Sequence, residues 1–412
     1  MSNEQEIEQV LAVLKNPHTI RARAQAILER VKHNQSLNFA LDPEKMTSTA
    51  SFVIEVIEDN YPNLDIPYHS RWRHFEVGGR NRIQKMIEPF GILPAEERGK
   101  ILYELVIISV LLDAGAGQHW RYLDSETGIE YSRSEGLALA SLSLYQKGTL
   151  SANPAEPLRV DATKLVSFNQ NDLAETFQIT PRNPLEGITG RVTLLNRLGD
   201  LILKKESLFG QEGRLGNFFS YICSLAVNNT LSTLQIFKEV LNTFNEIWPA
   251  RTLFQGVPLG DVWLYPPLKT DDPGSEFVPF HKLSQWLTYS LIEPLEQAKI
   301  TVTDLDDLTG LPEYRNGGLF IDCGLLQVKN SNNLSKAFTP DSEIIVEWRA
   351  LTIALLDELS LLIRKKLQKN TEALPLAKIL QGGTWEAGRR IAKQKRPQGI
   401  PPIQIISDGT VF

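Results

Sequence analysis

Apolar residues recur at helical spacing through most of the chain. Ile7, Val10, Leu11 and Leu14, then Ile20, Ala24, Ile27, Leu28 and Val31, predict two short helices parted at Asn16-Pro17, where the proline ends the first. Met46 to Asp59 predicts a third. Pro94-Ala95-Glu96-Glu97-Arg98 opens another, its acids complementing the positive end of the helix dipole, and its body from Ile101 to Leu112 is apolar on nearly every face, which predicts central burial. Ser132 to Lys147 closed by Gly148, Leu173 to Phe177, Pro184 to Leu203, Asn217 to Ile247, Phe280 to about Lys299, Ser342 to Lys366 and Thr371 to Lys393 continue the series. The tail from Ile400 to Phe412 has the β-branched look of a short terminal strand. With no βαβ alternation, the pattern predicts an all-α (mainly α) fold.

The polar stretches add punctuation. Residues 1–412 read as a single compact helical unit, with a subdomain boundary allowed at Thr149 to Pro157. Trp248 to Gly274 is rich in Pro, Gly and aromatics, and its tryptophans and tyrosine predict a long ordered loop. Gly210 to Gly216 reads as a turn, because it lacks the Gly-Lys-Ser/Thr ending of a phosphate loop. Leu308 to Asp322 reads as turn-rich, with a Gly317-Gly318 turn.

The chain has 412 residues, 42% hydrophobic and 22% charged, and a formal net charge of −6, so a nucleic-acid partner is not expected. Cys223 and Cys323 are its cysteines, and with the polar start from Met1 to Glu6 they predict a cytoplasmic protein with reduced thiols buried as small core residues. The longest apolar run, Leu105 to Leu112, is too short for a membrane span.

Against that ordinary background one stretch stands out. Ile66 to Arg82 gathers four arginines, two histidines (His69, His74), three aromatics (Tyr68, Trp72, Phe75) and Gly78-Gly79. Ser70 is a good N-cap, which predicts a helix starting at Arg71. Arg71, Arg73 and His74 would then oppose the positive end of that helix unless a bound phosphate or carboxylate lay between them. The plainer reading makes Trp72 and Phe75 core and pairs the arginines with distant acids; both stand at this point. A second polar-aromatic group follows a glycine-rich turn, with Asp113 before it and His119 and Trp120 after it; a pocket and a glycine C-cap are the two readings.

A zinc site finds no tight ligand spacing, and no Gly-x-Ser-x-Gly or basic-flanked cysteine marks a nucleophile; no cofactor is expected. Carboxylates remain: Glu313 with Tyr314 and Arg315, Asp322 nine residues on, and Asp271-Asp272 in the long loop. A carboxylate beside aromatics and phosphate-binding cations suits cleavage of a glycosidic bond, whose sugar becomes cationic in the transition state. The competing reading is that Glu313 pairs with an arginine in a turn.

Ile66 to Phe75, Leu111 to Gly117, Trp120, Tyr122, Ser134 to Leu137, Pro279 to Leu287 and Glu313 to Gly318 resemble the uracil catabolism protein four family nearly end to end. The resemblance implies a place in a uracil-degrading route in which a ribosylurea species must be split to urea and a sugar phosphate. Phe280 to Gln285, Glu313-Tyr314-Arg315 and Gly399-Ile400-Pro401 are also similar to segments of the queuosine 5′-phosphate N-glycosylase family. That likeness implies a DNA-glycosylase-like helical fold and a catalytic role for Glu313, where this chain has Glu in place of Asp. The expected ligand is then a phosphorylated riboside: Arg71, Arg73 and His74 with His281 and Lys282 on its phosphate, Tyr68, Trp72 and Trp120 as pocket walls, Asp271 or Asp272 on the sugar or ureido group. A non-catalytic ribotide sensor or scaffold and a metal-dependent amidohydrolase are the alternatives.

Overall fold

In the computed structural model, which describes residues 3–406, helix dominates and every strand is two or three residues long. The chain divides into two compact units. The first holds the chain up to His69, Ala250–Gln285 and Asp304–Ile406; the second holds Ser70–Pro249 and Trp286–Thr303. The loop at 149–157 lies inside the second unit.

The first unit is built around the helix Glu343–Leu367, whose residues from Ile344 to Leu356 are all buried. Helices Pro17–Lys32, Lys45–Asn60 and Tyr314–Asp322 pack on it. Asn16 caps the Pro17–Lys32 helix through its side chain, with Pro17 at the first helical position. Ala337–Phe338 and Gln404–Ile405 pair in parallel, so of the strand expected over 400–412 the structure forms two residues, 404–405; 400–403 and 406 are not strand, and 407–412 lie outside the described residues. The 371–393 stretch is one short helix, Leu376–Ile379, a π-helical turn, Leu380–Thr384, and a second helix, Trp385–Lys395. Tyr314–Asp322 is a correction: the segment expected to be turns is a helix, and its glycines serve close packing. A Cβ on Gly317 would lie 2.8 Å from the Trp348 indole nitrogen, and one on Gly318 3.2 Å from Pro402.

The second unit is centred on Ala95–Leu111, buried along its whole inner length as its all-round apolar sequence predicts. Arg133–Gln146, Asn217–Ser224 and Ile188–Lys204 pack against it. The single helix expected over 217–247 is interrupted: Asn228 and Asn229 take positive φ, 50° and 56°, and Thr230–Ser232 forms a strand beside Thr301–Thr303. Asparagine tolerates that left-handed conformation better than other non-glycine residues. Cys223 and Cys323 are half-buried and not in the core, and burial pushes their thiols up to about 12 and about 11. No helix among the described residues is long and apolar enough to cross a membrane.

Candidate functional site

Within the first unit, polar side chains converge at the N-terminus of the Tyr314–Asp322 helix. Glu313 is its N-cap: one carboxylate oxygen accepts the Arg315 N–H at 2.7 Å and the other the Asn316 N–H at 2.6 Å. The cap explains why a helix begins here, since the side chain satisfies two amides that have no helical partner. Glu313 is 7% exposed. Burial pushes its carboxyl above the usual range, opposed by the two amides and by the charges of Lys282 and Arg315. Asn316 donates to the Leu311 carbonyl at 3.2 Å and accepts the Thr384 hydroxyl at 2.8 Å, so the π-helical turn braces the cap. Arg315 is buried, donates to the Gly399 carbonyl and lies 5.1 Å from the Tyr314 ring centroid.

The turn that delivers Lys282 is held from below. His281 adopts φ +45°, a left-handed backbone that costs a non-glycine residue about 1–2 kcal/mol. Asp261 grips this turn. Its carbonyl accepts from the Phe280 and His281 amides at 2.9 and 3.2 Å, and its carboxylate from the Lys282 amide at 2.9 Å. The same carboxylate takes a two-pronged pair of bonds from Arg349, both 2.8 Å, and the Trp263 indole N–H at 2.7 Å. Arg349 and these donors hold the Asp261 carboxyl far below its ordinary range. The Arg349 guanidinium also lies 4.1 Å from the Phe280 ring centroid. His281 donates its Nε2–H to the Leu14 carbonyl at 3.0 Å, and burial drops its pKa to about 4, so it is neutral near pH 7. Gln285, fully buried, accepts the Thr309 amide on its side-chain oxygen and donates its own side-chain amide to the Thr309 hydroxyl, both at 2.8 Å.

Other expected residues have plainer partners. Ser70 does not cap a helix: its hydroxyl donates to Glu293, and the helix is the four-residue Trp72–Phe75. Arg71, fully buried, pairs with Asp113 at 3.0 Å and bonds Ser109 and the Ser134 carbonyl; Arg73 pairs with Glu293 at 2.6 Å. His74 stacks at 5.6 Å on Trp286, and Trp72 donates to the Ser290 carbonyl. Trp120 is core, bonded to the Phe177 carbonyl, while His119, Asp271 and Asp272 are exposed. Asp322 binds Arg396 through both oxygens at 2.7 and 2.5 Å. It sits at the far end of the helix that Glu313 caps, about 13 Å along the axis at 1.5 Å per residue, so the two do not form a pair across one bond. In the first unit, His69 meets Gln381 at 3.0 Å, and Tyr68 lies under Lys378. Among the described residues no three His, Cys, Asp or Glu side chains converge as a metal site requires.

Asp261, Arg349, Gln285, Asn316 and Thr384 were not singled out from the sequence. Arg349 left a signal, a lone cation in the mostly apolar first half of the longest helix; Asp261 left little more than its place between Gly260 and Val262.

The fold and this centre define a mainly α protein with a buried glutamate capping a helix that the π-helical turn braces. The chain belongs to the family described as a protein of unknown function (DUF1688), whose model matches residues 13–412. It is 39% identical over 413 residues to Protein urg3 of Schizosaccharomyces pombe (strain 972 / ATCC 24843), covering 98% of this chain and 99% of that one. It is 38% identical over 442 residues to Uracil catabolism protein 4 of Lachancea kluyveri, covering 98% and 100%. The expected membership of the uracil catabolism protein four family is met.

Proposed function

We propose that this chain serves uracil catabolism by hydrolysing the N-glycosidic bond of ribosylurea or its 5′-phosphate. Water adds its hydroxyl to the anomeric carbon and its proton to the departing nitrogen, giving urea and ribose or ribose 5-phosphate. The observation that carries the reading is the buried Glu313 carboxylate at the N-terminus of the Tyr314–Asp322 helix, in a chain so similar to Uracil catabolism protein 4. Such a carboxylate offsets the positive charge that develops on the sugar, or takes the proton of the attacking water. Lys282 and Arg315 balance the ligand phosphate, and Tyr314 and Tyr68 flank the sugar. Arg71 and Arg73 already carry Asp113 and Glu293, so in this reading they order the segment after Ser70.

The test incubates the metal-free protein with ribosylurea 5′-phosphate, uridine 5′-phosphate and their unphosphorylated forms, assaying urea, ammonia and free sugar. Urea and ribose 5-phosphate should appear together, and Glu313→Gln should lower the rate by about 10²-fold or more. Because Glu313 works ionised and its pKa is raised, turnover should fall on the acid side from a pH above the ordinary carboxylate range. Ammonia without free sugar would instead mark an amidohydrolase, and saturable binding with no product, indifferent to Glu313→Gln, a sensor or scaffold.

A further inference from the structure

We infer that Asp261 is a positioning residue whose grip on the Phe280–Lys282 turn sets the Lys282 side chain beside Glu313. The inference rests on the reading of Glu313 as the working carboxylate.

The argument is one of connectivity. Asp261 is the single acceptor shared by three consecutive backbone amides, those of Phe280, His281 and Lys282. Those amides frame a residue at φ +45°, a conformation that persists only where its surroundings impose it. The carboxylate is itself fixed in rotation, because Arg349 occupies both oxygens in fork geometry and Trp263 holds one of them. Arg349 in turn projects from the most buried helix of the unit. A rigid helix therefore dictates where the backbone of Lys282 lies, and the lysine is 7% exposed, with few ways to swing elsewhere. Gln285, in the first turn of the helix that Lys282 opens, bonds the Thr309 hydroxyl and amide, both at 2.8 Å, which seats this turn against the segment leading to Glu313. The charges of Lys282 and of Arg315, from the helix that Glu313 caps, both favour the ionised Glu313 carboxyl. Arg315 is anchored separately, on the Gly399 carbonyl. Loosening the Asp261 grip should thus withdraw one of the two cations and leave the other.

The sign of the effect separates positioning from plain electrostatics. Deleting the negative charge of Asp261 with nothing else moved would lower the Glu313 pKa, since a like charge disappears; losing Lys282 raises it. The experiment follows the carbon-13 titration of the Glu313 carboxyl, assigned by Glu313→Gln, in the full chain without substrate. Lys282→Met should raise the midpoint by about one unit, and Asp261→Asn should also raise it. Since Asp261→Asn strips Arg349 of its carboxylate and threatens folding, Asp261→Asn/Arg349→Met, which preserves net charge, is measured beside it. It should match Lys282→Met, and adding Lys282→Met should give no further rise. Trp263→Phe removes one bond from the carboxylate and should give a smaller rise in the same direction.

A fall or no change in folded Asp261 variants, or no rise in Trp263→Phe when the others do not fold, overturns the inference. Fully additive rises would do the same. Turnover of ribosylurea 5′-phosphate is followed in parallel. A wild-type protein that titrates as expected but releases no urea retains the positioning role and refutes the glycosidase; urea release with an unresponsive Glu313 does the reverse.

Discussion

His281 shows how much one side chain can report. Its ring is buried against the Leu14 carbonyl and its pKa falls from 6.5 to about 4, because burial disfavours the imidazolium. A group depressed in the folded state contributes stability that is present above its unfolded pKa and lost as pH falls through the folded value. The window here runs from about pH 6.5 down to about pH 4, and a depression of this size is worth roughly 3 kcal/mol across it. Asparagine tolerates left-handed backbone and does not titrate. His281→Asn should therefore fold, be weaker at pH 7 for loss of the Leu14 contact, and show a flatter fall in urea midpoint between pH 6.5 and 4. An unchanged slope would mean that another group carries the acid sensitivity. The sequence marked His281 as chemically interesting but assigned it to a ligand phosphate; its neutral state follows from burial and its partner is the carbonyl of Leu14, far away along the chain, while Asp261 holds only its backbone amide.

At the scale of elements, hydrophobic spacing located most helices because burial of an apolar face is what makes them helices. It failed where glycine was read locally. Gly317-Gly318 looked like a turn, yet Glu313 caps a helix there and the glycines let it approach Trp348 and Pro402. Gly388 plays the same part on the neighbouring helix Trp385–Lys395: a Cβ would stand 2.2 Å from the Arg315 carbonyl oxygen, a backbone atom with nowhere to go. Helix propensity alone predicts that Gly388→Ala gains up to about 1 kcal/mol. Overpacking of this kind costs about 1–3 kcal/mol, so the clash should win. Gly388→Ala should lower Tm and, by pushing on the residue two places after Glu313, weaken binding of the phosphorylated substrate. A raised Tm would show that the two helices separate more easily than their packing implies. The π-helical turn had no sequence signature beyond Gln381-Gly382-Gly383-Thr384, and its use is tertiary: it brings Thr384 to Asn316 and Gln381 to His69.

Across the molecule, what the sequence could not disclose was the identity of charge partners. Arg71 and Arg73 looked like cations awaiting a ligand, and the chain itself supplies the anions, Asp113 and Glu293, each many residues away; Arg82 in the same stretch pairs likewise with Asp124. Pairing of that sort is fixed by which helices pack together, so spacing along the chain carries no trace of it; Glu313 stood out as a candidate in the sequence, but its capping of two amides did not, because the segment read as turns. The distinction has an energetic consequence that can be measured. Removing one member of a buried ion pair strands the other and costs about 3–5 kcal/mol, while replacing both with apolar groups is often neutral. Arg71 is fully buried, and burial already lowers its pKa against the pull of Asp113. Arg71→Met should therefore lose about 3–5 kcal/mol in chemical denaturation, and Arg71→Met/Asp113→Leu should recover most of it. The recovered double variant then decides between the two readings of this arginine. If Arg71 only orders the fold, the double variant hydrolyses ribosylurea 5′-phosphate with near wild-type kcat and KM. If Arg71 holds the substrate phosphate, stability returns while KM stays about tenfold or more above wild type, as expected for a lost charge-assisted bond of about 1.5–3 kcal/mol. The pairing with Asp113 favours the first outcome, because an arginine that is already neutralised has less to offer an incoming anion.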